Sequence, residues 1–124
     1  MKITNHDINA LVVDDENDIC YLLSGILKRK HLQAVCVSTL KEASLALSAQ
    51  NPAILFLDNH LPDGSGIDHI SKIKREHPGT KIIMITANDT QLDKDKALNA
   101  GADRFIGKPF TREMIDYTID SLLE

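Results

Sequence analysis

Five times along its 124 residues the chain passes from a short apolar run into a stretch with helical spacing, and this alternation restricts its fold more than any other feature. The apolar runs cover residues 10–13, 33–37, 53–57, 82–85 and 104–107. After the first, residues 16–30 carry Ile19, Leu22, Leu23, Ile26 and Leu27 at three- and four-residue intervals, one face of a helix. Ser38 or Thr39 is positioned to cap a second helix reaching about Ala49, with Leu40, Ala43 and Leu47 inward, and Asn51-Pro52 ends it. The third helix contains Ile67, Ile70 and Ile73 and stops at His77-Pro78-Gly79. A fourth runs from about Thr90 to Ala100, stopped by Gly101; Thr111 caps the fifth, whose Ile115, Ile119, Leu122 and Leu123 should face inward.

Regular βα alternation implies a parallel sheet covered by helices on both faces. The strands agree, because strands buried on both faces are continuously apolar. Right-handed crossovers then favour an α/β architecture, a flavodoxin-like three-layer (βα)5 sandwich with parallel strand order 2-1-3-4-5. Residues 1–124 read as one domain without linker, repeat or low-complexity segment.

A formal net charge of −4, with Lys and Arg scattered, argues against direct nucleic-acid binding. The cluster Lys28-Arg29-Lys30 sits at a helix end, where cations complement the helix dipole. No apolar stretch approaches the roughly 20 residues of a membrane span, and residues 1–7 lack the apolar core of a signal peptide, so a cytoplasmic location without membrane insertion is expected. Cys20 and Cys36 make neither a disulfide framework nor a metal pattern and read as reduced core thiols.

Polar residues close the strands: Asp14-Asp15, Asp58, Thr86 and Lys108. In a parallel sheet these ends converge on the edge where ligands bind, and the order 2-1-3-4-5 sets Asp14 and Asp15 beside Asp58. Three neighbouring carboxylates need a cation, and an all-oxygen set suits Mg²⁺, with Mn²⁺ as a substitute. Beside such an ion one carboxylate can attack phosphorus. The Lys108 ammonium, the Thr86 hydroxyl and backbone N–H groups after Asp58 and Thr86 could then meet the negative oxygens.

Taken in order, Asp14-Asp15, Asp58 with Leu61-Pro62-Asp63-Gly64-Ser65-Gly66, Thr86-Ala87 and Lys108-Pro109-Phe110 resemble the signature of response-regulator receiver domains, along essentially the whole chain. The resemblance implies that Asp58 accepts a phosphoryl group from a histidine kinase or histidine phosphotransfer protein. It implies Mg²⁺ held directly by Asp15, through water by Asp14, by the Asp58 carboxylate and by the His60 backbone carbonyl. Lys108 would pair with the phosphoryl group, its bond to Pro109 being cis. Thr86 and Phe105 would form the switch, read out on the face made by the fourth helix, fifth strand and fifth helix. Side chains at His60 and Asn88 would tune phosphoryl lifetime. The remaining histidines, His6, His31, His69 and His77, form no ligand spacing and read as solvated.

The resulting expectation is a phosphorylation-dependent interaction module of a two-component phosphorelay rather than a turnover enzyme. A downstream output domain or protein partner and a weak phosphorylation-dependent homodimer belong to the same expectation. A haloacid-dehalogenase-like phosphatase would want a second acid where His60 stands. A flavodoxin would want a Ser/Thr/Gly-rich loop in place of Asp14-Asp15-Glu16. A phosphorylation-independent receiver is the other alternative. Whether the chain stands alone or belongs to a larger regulator stays open.

Overall fold

The computed structural model describes residues 10–87 and 89–123. The first strand, β1 (Ala10–Val13), is entirely buried, as its unbroken apolar sequence requires. It leads into α1 (Asn17–Arg29), which packs Leu23, Ile26 and Leu27 inward and carries Lys28 and Arg29 in its last turn. Next come β2 (Ala34–Val37) and α2 (Leu40–Gln50), whose N-cap Thr39 accepts a hydrogen bond from Glu42 N at 3.1 Å. The third unit is β3 (Ile54–Asp58) and the short α3 (Ile70–Glu76), entered through a 3₁₀ turn at Ile67–His69. Then follow β4 (Lys81–Thr86), α4 (Gln91–Ala100), β5 (Arg104–Gly107) and α5 (Arg112–Leu123). Gly101 closes α4 with φ 122°, a backbone state that disfavours any residue with a Cβ.

All five strands are parallel, in the order β2-β1-β3-β4-β5, which is the architecture expected from the sequence. Leu11, Val13, Leu55, Leu57, Ile82 and Met84 pack under α2, α3 and α4. Val12, Ile54, Phe56, Ile83, Ile85 and Ile106 face the opposite way, under α1 and α5. Fully burying one such side chain contributes about 1.5–3 kcal/mol, so the two faces supply the main driving force for this fold.

Three local expectations need correction, and one local feature adds to them. Leu22 of α1 and Leu123 of α5 are exposed at 39% and 38%, because each is adjacent in sequence to a more buried leucine about 100° around the helix. The turn-rich stretch after Asp58 forms a small hairpin, His60–Leu61 pairing antiparallel with Gly64–Ser65 across Pro62-Asp63. His69 and His77 are half-buried with partners, Nδ1 lying 3.1 Å from Ser65 O and 3.2 Å from Asn51 Oδ1 respectively, while His31 is exposed and His6 lies outside the described residues. Lastly, Cys20 and Cys36 are joined in a disulfide rather than being separate thiols. The packing of α1 on β2 brings their Cα atoms to 6.1 Å, inside the range a disulfide can span. No described helix is long and apolar enough to cross a membrane.

Candidate functional site

Parallel register assembles the site. Val13 pairs with Leu57, so the next residues, Asp14 and Asp58, stand level on adjacent strands. Asp58 pairs with Ile85, which leaves Thr86 one residue further along β4. Thr86 in turn pairs with Gly107, directly before Lys108. The polar residues predicted to converge therefore do so because no strand is out of step with its neighbour.

Asp14 is buried and fixed: its N–H donates to Val37 O at 3.1 Å, and its Oδ1 accepts from Glu16 N at 2.9 Å. Asp15 is exposed, and one carboxylate oxygen from each of Asp14, Asp15 and Asp58 lies within 4.8 Å of the others. Lys108 is held by its N–H, which donates to Thr86 O at 2.8 Å, and its bond to Pro109 is cis. Its ammonium lies 2.9 Å from Asp14 Oδ2, 2.6 Å from Glu16 Oε1 and 3.7 Å from Asp58 Oδ2.

Negative charge exceeds positive here, and the titration of Asp58 reflects it. Burial, reinforced by the neighbouring Asp14, raises its pKa from 3.8 to about 6. Lys108 and the backbone N–H groups of His60 and Asn59 act in the opposite sense and keep the shift from being larger. For Lys108 burial alone would lower the pKa, but its contacts with Glu16, Asp14 and Asp58 outweigh it and leave the pKa raised. Asp14 Oδ2 is fully buried and, although close to the ammonium, lacks an aligned hydrogen bond. A buried carboxylate oxygen with no aligned hydrogen bond, beside two other carboxylates, is a donor set that fits a hard divalent cation.

Thr86 is fully buried at the end of β4. Phe105 is half-buried on β5, paired with Met84 and packed against the core face under α4. His60 is exposed on the hairpin, and Asn88 lies outside the described residues. Three contributors were not foreseen as part of the site. Glu16, the N-cap of α1, makes no cap bond with its side chain, which reaches Lys108 instead. Buried Asn59 holds the return of the hairpin, its Oδ1 accepting from Ser65 Oγ at 2.6 Å and Ile67 N at 2.9 Å. Asp63 anchors the hairpin tip to α2, accepting from Leu40 N at 2.8 Å and Lys41 N at 3.1 Å. Asp63-Gly64 is legible as a turn signal, but its helix partner is not.

The family model for the response regulator receiver domain matches residues 10–120. The chain belongs to the response-regulator receiver family. This receiver is 33% identical over 116 residues to the probable transcriptional regulatory protein TcrX of Mycobacterium tuberculosis, covering 94% of this chain and 50% of that protein. It is 41% identical over 100 residues to the response regulator protein PilR of Pseudomonas aeruginosa, covering 81% of this chain and 22% of the relative. The receiver thus spans half or less of the length of these curated relatives. Among solved structures, the beryllofluoride-activated NtrC4 receiver domain dimer is 34% identical with a TM-score of 0.86, covering 91% of this chain and 93% of that one. A CheY-like receiver from Methanospirillum hungatei is 27% identical with a TM-score of 0.86, covering 93% and 92% of the two chains. Receivers of this family interact with histidine kinases and output domains.

Proposed function

We propose that this receiver takes a phosphoryl group on Asp58 from a histidine kinase or histidine phosphotransfer protein and acts through the resulting conformational state, not by turnover of a small substrate. The observation that carries this reading is the position of Asp58: buried, beside Asp14 and Asp15, and 3.7 Å from the Lys108 ammonium. In the transfer an Asp58 carboxylate oxygen bonds to phosphorus while the P–N bond of the donor phosphohistidine breaks. The electron pair leaves with the imidazole nitrogen, which takes up a proton.

Asp14, Asp15, Asp58 and the His60 carbonyl would hold Mg²⁺, or Mn²⁺ in its place. When bound, the ion supplies positive charge against the carboxylates and phosphoryl oxygens. Lys108 leaves its pairing with Glu16 and Asp14 to meet the transferred group, while the His60 and Asn59 N–H groups already point to the Asp58 carboxylate. Thr86 follows as a hydroxyl donor. Phe105 moves with it, altering the face of α4, β5 and α5 where an output domain or second copy would read the change.

Intact mass after incubation with acetyl phosphate and Mg²⁺ tests the acceptor. A labile gain of one phosphoryl group is expected, absent from Asp58→Asn and from an EDTA control; no gain in the native chain would overturn the reading. Phe105→Ala tests the switch: it should be phosphorylated at the native rate, while amide shifts on α4 and α5 no longer respond. An unchanged response would remove Phe105 from the switch.

A further inference from the structure

Cys20 lies one turn into α1, and Cys36 lies on β2, the edge strand. Both are half-buried, at the rim of the core face under α1 rather than within it. That face is already closed by Leu23, Ile26 and Leu27, and a domain of this length buries an adequate core without a cross-link. The bond is therefore additional to the fold rather than a condition for it. The Ser24 hydroxyl lies 3.5 Å from Cys36 Sγ and 3.9 Å from Cys20 Sγ, so a donor is in place for a thiolate at this position. The chain has two cysteines in all, and they find each other.

We propose that Cys20 and Cys36 form a reversible thiol–disulfide site that tethers α1 to the edge strand. Where thiols are generally kept reduced, an isolated protein disulfide serves redox sensing more often than permanent reinforcement. Oxidation needs a low-molecular-weight disulfide such as oxidised glutathione. One cysteine thiolate attacks it, releasing one small thiol and leaving a mixed disulfide; the second cysteine thiolate then displaces the other small thiol. Two protein thiols lose two electrons and two protons, and the small disulfide becomes two thiols. In the reverse direction Ser24 stabilises Cys36 as the departing thiolate.

The tether joins two segments that flank the acidic edge. Cys20 N–H bonds to Glu16 O at 3.2 Å, and Val37, next to Cys36, accepts from Asp14 N at 3.1 Å. Opening it should loosen the first turns of α1 while leaving α5 in place.

The test uses the full chain, unphosphorylated, so its outcome does not depend on the role of Asp58. The protein is equilibrated with oxidised glutathione or with dithiothreitol; thiols are alkylated under native conditions and counted by mass, and Tm and amide exchange are measured in both states. Expected are no alkylated thiol after oxidation and two after reduction, a Tm lower by roughly 10 °C in the reduced form, faster exchange confined to α1, and full recovery on reoxidation. Cys20→Ser and Cys36→Val should each show the reduced Tm in either buffer; if a variant does not fold, the comparison on the native chain decides alone. Two alkylatable thiols after oxidation, an intermolecular disulfide dimer, or equal Tm in the two buffers would overturn the proposal.

Discussion

Asp58 is ionised at a cost that the fold itself imposes. Its pKa rises from 3.8 to about 6 because it is buried and faces Asp14, so between those values the folded protein holds a proton that the unfolded chain has released. Stability therefore falls as pH rises through that window, and above about 6 the penalty is complete. Asp58→Asn removes it. In metal-free protein at pH 7 the variant should be more stable by on the order of 2 kcal/mol, the gain fading as pH approaches 4. Urea unfolding across that range checks it; a gain that persisted at pH 4 would place its origin elsewhere. A gain is unusual for removal of a buried hydrogen-bonded group, and it is what the proposed phosphoacceptor role of Asp58 leads one to expect, a residue kept for reactivity rather than stability.

Among the elements, the hairpin after β3 shapes the floor of the site. Gly66 N donates to Asn59 O at 2.9 Å, and a Cβ there would overlap the Asp58 carbonyl oxygen and press on Leu57 Cγ at 3.0 Å. The end of the hairpin thus lies directly against the backbone of Asp58, the proposed acceptor. Gly66→Ala should destabilise the domain by about 1–3 kcal/mol through overpacking and slow phosphorylation from acetyl phosphate, because relief of the clash must shift Asp58. Denaturant midpoints and phosphorylation rates measured together check this; native rates in a destabilised variant would show that β3 holds Asp58 regardless. Asp63 adds a pH-dependent element. Its contacts with the Leu40 and Lys41 N–H groups lower its pKa, so its contribution is present at neutral pH and lost as pH falls below the ordinary carboxylate range.

For the whole molecule, the strand-end geometry predicts how stability responds to metal. The carboxylates of Asp14, Asp15 and Asp58 come together only when β1 and β3 are paired, so Mg²⁺ should bind the folded chain far better than the unfolded one. At a hundredfold excess over its dissociation constant it should add about 2.7 kcal/mol, read as a rise in Tm of several degrees that EDTA reverses. Asp15→Asn should abolish most of the rise without lowering metal-free stability, since Asp15 is exposed. An undiminished rise in that variant would put the ion elsewhere.

The order of elements, their parallel sheet and the convergence of Asp14, Asp58, Thr86 and Lys108 were determined by the sequence alone, because they depend on local periodicity and on the handedness of βα connections. Helix caps at Thr39, Thr90 and Thr111 are equally local, each accepting from a backbone N–H three residues on. Tertiary structure decided what depends on the distance between segments far apart in sequence. It paired Glu16 with Lys108, set Asp63 on α2, and chose which of the adjacent leucines faces the sheet. It also brought Cys20 to Cys36, reversing the expectation of separate thiols. Periodicity shows which face of a helix is apolar; only packing fixes its rotation and position over the sheet, and side chains at the rim of that face acquire partners or lose them by small changes in either.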